Sequence, residues 1–294
     1  MDPRKKLVDL KPVKDFFIGI DSDGCVFDTM EIKHKECFCP NFIKYFDLRT
    51  TEKYARETWE FVNLNSINRG CNRFDAVIHS LDLLLERREF KAINNNIYDI
   101  KELKEWLKIE NSLGNGALEK YMDLHPTPFL RTLLYWSEAV NKSIEDIAFS
   151  IPPFPFVKES LPKMSKKADM IVVSQAPLDT LMREWEENNI NGYVRTIASQ
   201  ELGTKTDQLK CAAIGKYKAD HILMIGDAPG DFIAAKSNGV LFYPINPGHE
   251  SVSWERFYEV AMDHFFNGTF KGEYEDMLLE EFKSYLQEIP PWKK

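Results

Sequence analysis

The stretch Phe16-Phe17-Ile18-Gly19-Ile20-Asp21-Ser22-Asp23-Gly24-Cys25-Val26-Phe27-Asp28 decides how the rest of the chain reads. Phe16 to Ile20 is a short run without a polar residue, and it stops at two acids. Such a run suits a strand buried on both faces, since each face then meets apolar material. The acids fall at the strand's carboxyl end, where open α/β sheets bind their ligands. Three later runs share this form: Met170-Ile171-Val172-Val173, His221-Ile222-Leu223-Met224-Ile225 and Val240-Leu241-Phe242. Helical patterns lie between them, from Leu178 to Asn188, Thr206 to Tyr217 and Gly230 to Ser237. Strand and helix in alternation predict an α/β fold with a doubly wound parallel sheet, covered on both faces.

One stretch breaks the alternation. From Met30 to Ile151 helical periodicity dominates, as in Phe74, Val77, Ile78, Leu81, Leu84 and Leu85, and no strand pattern stands out. Pro152-Pro153-Phe154-Pro155, which a helix cannot cross, closes it. The expected layout is therefore a discontinuous sheet domain (residues 1–29 and 153–294) interrupted by a helical insertion (residues 30–152). Two further helical patterns, about Val252–Phe266 and Tyr274–Gln287, are expected to pack on the core.

The 294 residues carry 38 Lys+Arg against 46 Asp+Glu, a net charge of -8, which argues against a dedicated nucleic-acid binder. With 44% hydrophobic residues the chain has material for a sizeable core and is not a disordered one. No apolar run is long enough to cross a membrane. The basic start, with Arg4, Lys5, Lys6, Lys11 and Lys14, lacks the apolar region of a signal peptide, so the expected location is cytoplasmic. Cys25, Cys37, Cys39, Cys71 and Cys211 have no zinc-ribbon spacing and read as reduced, buried thiols. Oligomeric state is not readable.

Four features stand at strand ends or helix starts: Asp21-Ser22-Asp23-Gly24, Ser174-Gln175, Gly203-Thr204-Lys205 and Gly226-Asp227-Ala228-Pro229-Gly230-Asp231. Carboxylates converging on one spot repel unless a cation holds them, and several hard oxygens suit Mg²⁺ with a phosphate partner. Ser174 offers a hydroxyl and Lys205 a point charge, both suited to a phosphoryl group in transfer. Gln175 could place an amide on the same group. In the insertion, Arg69 and Arg73 are four apart; on one helix they would share a face and could grip an anionic substrate.

In order and kind, these four features resemble the motifs of the haloacid dehalogenase superfamily, in its phosphatase and phosphomutase branch. The gaps are 153 residues from Asp21 to Ser174, 31 to Lys205 and 22 to Asp227. The resemblance implies a Rossmann-like core with a helical cap inserted after the first motif. It implies Asp21 as nucleophile, Asp23 as general acid and base, and Ser174, Gln175 and Lys205 around the phosphate. It further implies Mg²⁺ held by Asp21, the Asp23 main-chain carbonyl, Asp227 and Asp231. The activity implied is Mg²⁺-dependent hydrolysis of a small phosphorylated metabolite through an aspartyl-phosphate. A phosphomutase similar to β-phosphoglucomutase shares these motifs, and a catalytically silent binding module could keep the fold; the intact motif set argues against the latter.

Overall fold

Five parallel strands form one sheet in the order β3-β2-β1-β4-β5 in the computed structural model, which describes residues 3–94, 98–110, 113–146 and 151–293. They are β1 (Phe16–Ile20), β2 (Ala168–Val173), β3 (Thr196–Ala198), β4 (Ile222–Gly226) and β5 (Leu241–Pro244). The four apolar runs of the sequence are β1, β2, β4 and β5. The short edge strand β3 carries no such run and adds a fifth member. β1 sits at the centre, with Ile18 beside Met170 of β2 and Leu223 of β4.

Side chains alternate across the sheet, so the strands feed two separate cores. Ile18, Ile20, Met170, Val172, Leu223 and Ile225 join Leu161, Leu181 and Trp185 on one face. Phe17, Ile171, Val173, Ile222, Met224 and Phe242 join Leu209, Ala234, Ala235 and Phe282 on the other. Helices Val157–Ser165 and Leu178–Glu187 thus cover the first face. Helices Lys205–Ala213, Pro229–Ser237 and Glu273–Tyr285 cover the second. The chain is an α/β protein with a doubly wound parallel sheet, and no described helix is long and apolar enough to cross a membrane.

The chain divides into two compact units, Met1–Met30 with Ser150–Gln287 and Glu31–Phe149 with Glu288–Lys294. The second unit carries helices and, among the described residues, no strand. Parts of the expected insertion (residues 95–97, 111–112 and 147–150) lie outside the described residues. Its core is aromatic: the Phe42 and Trp59 rings lie 4.8 Å apart and those of Trp59 and Trp136 5.8 Å apart. The sequence reading kept residues 288–294 with the sheet. They group instead with the helices, where Trp292 meets Phe61 at 5.5 Å and lies under the Arg87 guanidinium at 4.3 Å. All five cysteines are free thiols; Cys25, Cys37 and Cys39 are buried, Cys71 and Cys211 half-buried.

Two tryptophans of the first unit fix the loop that leaves β1. Trp185 donates from Nε1 to Ser22 Oγ at 3.0 Å, and Trp254 donates from Nε1 to the Cys25 carbonyl at 2.7 Å. Both indoles are fully buried. Trp254→Phe keeps most of the packing and leaves that carbonyl short of a donor. Urea unfolding should show a loss of about 1–3 kcal/mol; an unchanged midpoint would remove the indole from the loop's support.

Candidate active site

Asp21 directly follows β1, and its main-chain N–H still donates to the Ile225 carbonyl of β4 at 2.9 Å. The ladder therefore continues one residue past the strand and sets the Asp21 side chain, 3% exposed, at the sheet's carboxyl edge. Asp227 follows β4 directly and is fully buried. Since β1 and β4 are neighbours, the topology alone places these carboxylates side by side. In this strand order the chain winds outward in opposite directions from β1 and β4, which is where doubly wound sheets open a crevice.

The turn after Asp21 is tight. Val26 and Phe27 both donate to the Ser22 carbonyl, at 2.9 and 3.2 Å, and Gly24 adopts φ +77°, a conformation that costs glycine nothing. Asp23 is half-buried and accepts a hydrogen bond from the Thr29 hydroxyl.

Two helix starts complete the cluster. Thr204 and Asp207 form a capping box that makes Lys205 the first residue of its helix. A cation at this end opposes the helix dipole, and two carboxylates offset it. Lys205 Nζ stands 2.9 Å from Asp21 Oδ2 and 2.6 Å from Asp231 Oδ1. Asp231, in the first turn of its own helix, accepts from the Ala228 N–H through Oδ2 at 3.1 Å. Gly226 makes room for it: a Cβ at residue 226 would lie 2.3 Å from the Asp231 carboxyl carbon.

Asp21, Asp227 and Asp231 each present an oxygen within 4.8 Å of the others, and all three are buried. Two like charges about 4 Å apart repel by roughly 4 kcal/mol at an effective dielectric near 20. With all three ionised, one ammonium leaves the cluster at a net charge of minus two, equal and opposite to the charge of a divalent cation. The electrostatics show the same strain. Burial, then the Asp231 charge, hold the Asp21 carboxyl well above its usual range, against the pull of Lys205. Burial would depress the Lys205 ammonium, but Asp21 and Asp231 outweigh it and raise its pKa. The buried Cys25 thiol is pushed up by burial and by the same acids.

Ser174 follows β2 and is 2% exposed; its N–H donates to the Ala198 carbonyl at 3.0 Å. Its Oγ accepts from the Ala176 N–H at 3.1 Å, which leaves the hydroxyl hydrogen to donate. Gln175 is exposed and turns its amide NH₂ onto the Gly203 and Ser174 carbonyls, at 2.9 and 3.2 Å. That amide braces the loop before Lys205 and is not presented to an anion.

The two arginines do not share a helix face. Asn72 caps a helix that begins at Arg73, its side chain accepting from the Phe74 N–H, and Gly70 at φ +73° ends the turn that holds Arg69. Arg69 is buried and donates to the Leu64 carbonyl at 2.9 Å. Arg73 donates to Ser137 Oγ at 3.0 Å and Asn141 Oδ1 at 2.7 Å. Burial lowers its pKa to about 10. Both guanidinium groups thus serve contacts inside the helical unit. Gln208 went unnoticed in the sequence; it lies on the helix of Lys205 and ties the Ser174 and Gly203 carbonyls together.

The raised Asp21 pKa fixes a sign for stability without metal. The folded state binds the Asp21 proton more tightly than the unfolded chain does, so stability falls as pH rises above 3.8. In EDTA, Asp21→Asn should melt above the wild type near neutral pH, with the gap closing as pH falls toward 3.8. A gap that widens on acidification would contradict the assigned strain.

The family described as haloacid dehalogenase-like hydrolase matches residues 71–244, a span that includes Ser174, Lys205, Asp227 and Asp231. No curated protein matches the chain. Among solved structures, a candidate phosphoglycolate phosphatase from Lactobacillus delbrueckii aligns with TM-score 0.50 and 16% identity, covering 84% of this chain and 92% of the other. A haloacid dehalogenase-like family hydrolase from Streptococcus pneumoniae aligns at 0.44 and 12%, covering 82% and 90%. A hydrolase from Pseudomonas syringae aligns at 0.45 and 13%, covering 82% and 89%.

Proposed function

The chain belongs to the haloacid dehalogenase-like hydrolase family, and from that premise we propose that it is a Mg²⁺-dependent phosphohydrolase acting on a small phosphorylated metabolite. The observation that carries this reading is the buried set of Asp21, Asp227 and Asp231, of which Asp21 and Asp231 pair with the Lys205 ammonium. The cluster has too much negative charge for its own lysine and sits at the carboxyl edge of the sheet. Carboxylates alone match a hard divalent cation and exclude a thiolate site.

In this proposal Asp21, Asp227 and Asp231 hold Mg²⁺, together with the main-chain carbonyl of Asp23. When bound, the ion neutralises charge on the phosphoryl oxygens. Asp21 attacks phosphorus and forms an acyl phosphate as the ester P–O bond breaks. Asp23, which accepts from the Thr29 hydroxyl, gives its proton to the leaving alkoxide. It then takes a proton from the water that hydrolyses the acyl phosphate, which returns both aspartates to their starting states. The Lys205 ammonium and the Ser174 hydroxyl hold the phosphoryl oxygens through both steps. Gln175 keeps the loop in shape. The substrate then needs no nucleic-acid or membrane surface, in keeping with the acidic charge balance.

Asp21→Asn should abolish hydrolysis of p-nitrophenyl phosphate with the circular dichroism unchanged, and EDTA should do the same to the wild type. Retained turnover in the variant would end the nucleophile assignment. Asp23→Asn should separate leaving groups. Alkyl phosphates, whose alkoxide needs the proton, should lose about 10²–10⁴ in kcat/KM, and the p-nitrophenyl ester much less. Equal losses for both would deny Asp23 the acid's role.

A further inference from the structure

One side chain near the site joins both phosphoryl-holding loops without belonging to either. Gln208 is fully buried on the first turns of helix Lys205–Ala213. Its Nε2 lies 2.9 Å from the Ser199 carbonyl, 3.0 Å from that of Ser174 and 3.1 Å from that of Gly203. An amide NH₂ has two hydrogens, so three acceptors around it mean that one hydrogen is shared. The three carbonyls also settle which way the amide faces, because the flipped form would set oxygen against all of them. The arrangement is bought at the expense of Oε1, which is buried and accepts no hydrogen bond.

Satisfying those carbonyls is not the reason for it. Ser174 and Gly203 each accept from Gln175 as well, and Ser199 accepts from the Leu202 N–H at 2.9 Å. What Gln208 adds is a single fixed point. The end of β2, the residue just after β3 and the loop before Lys205 all converge on one nitrogen. Lys205 lies three residues earlier on the same helix, so this point also sets the helix start against the end of β2.

We propose that Gln208 is a positioning residue that holds Ser174 and Lys205 at the separation a bound phosphoryl group requires. The proposal rests on the phosphohydrolase reading for its consequence in turnover; its consequence in phosphate binding stands apart from it. Gln208 has no contact with the carboxylate cluster among its hydrogen bonds, so metal binding should not depend on it.

The test uses Gln208→Met, which keeps shape and loses the donors, and Gln208→Glu, which also sets oxygen against the three carbonyls. Inorganic phosphate binding is measured by calorimetry on the Mg²⁺-loaded protein, beside kcat/KM for p-nitrophenyl phosphate, both well below each variant's Tm. Phosphate Kd should rise and kcat/KM fall by about 10–100-fold in either variant, as misplacing a clamp by about an ångström does. The Mg²⁺ Kd should stay within about twofold of the wild type. A merely structural role would lower Tm and leave the phosphate Kd in place, and that result overturns the proposal, as does a Mg²⁺ Kd that shifts in step with phosphate. If one variant fails to fold, the other decides. A wild type that binds phosphate but hydrolyses no monoester overturns the phosphohydrolase reading alone, and the binding comparison still decides Gln208. A wild type that binds no phosphate overturns both.

Discussion

Three buried carboxylates crowd together at the carboxyl edge of the sheet, two of them sharing the Lys205 ammonium, and much of the first unit serves to keep them there. Asp21 and Asp227 are forced together because β1 and β4 pair and an acid directly follows each strand. Lys205 and Asp231 arrive from two helices, each delivered by its capping pattern. None of these four side chains could sit there alone. Removing Lys205 would leave unbalanced charge in a buried site, and removing an acid would leave Lys205 with one partner fewer. The two apolar cores supply the stability against which that electrostatic strain is held.

The central part of the fold was open to reading because doubly wound sheets bury their strands on both faces. β1, β2, β4 and β5 are near-continuous apolar runs for that reason. β3 was not readable: Thr196-Ile197-Ala198 is three residues at the sheet edge, paired only with β2, and needs no apolar run. The acids, Ser174 and Lys205 could be read because each follows a strand or opens a helix. Gln208 could not, since its role depends on three carbonyls from distant turns meeting at one nitrogen, and no spacing in the sequence records that.

The helical unit shows how a local pattern misleads. Arg69 and Arg73 have helical spacing, but Gly70 and the Asn72 cap put a helix start between them. Each guanidinium then finds partners in its own unit. Arg73 lies 5.1 Å over the Phe38 ring, whose neighbours include His34, stacked at 4.7 Å. Charge alone gave no means of telling a ligand-binding arginine from one that supports an aromatic core. Residues 288–294 likewise carry no pattern to show which unit they join, because a single ring, Trp292, decides it through Phe61 and Arg87.

Gly226 ends β4 with no side chain, and the Asp231 carboxylate occupies the volume that one would fill. Asp231 is thereby confined: backbone lies on one side, the Ala228 N–H holds one oxygen and Lys205 the other. Asp231 is thus already gathered at the site, and a cation held there, as proposed above, would spend no binding energy on placing that ligand. The missing side chain of one residue thus works as a mould for another, and the residue least able to do chemistry helps determine where a carboxylate of the cluster stands.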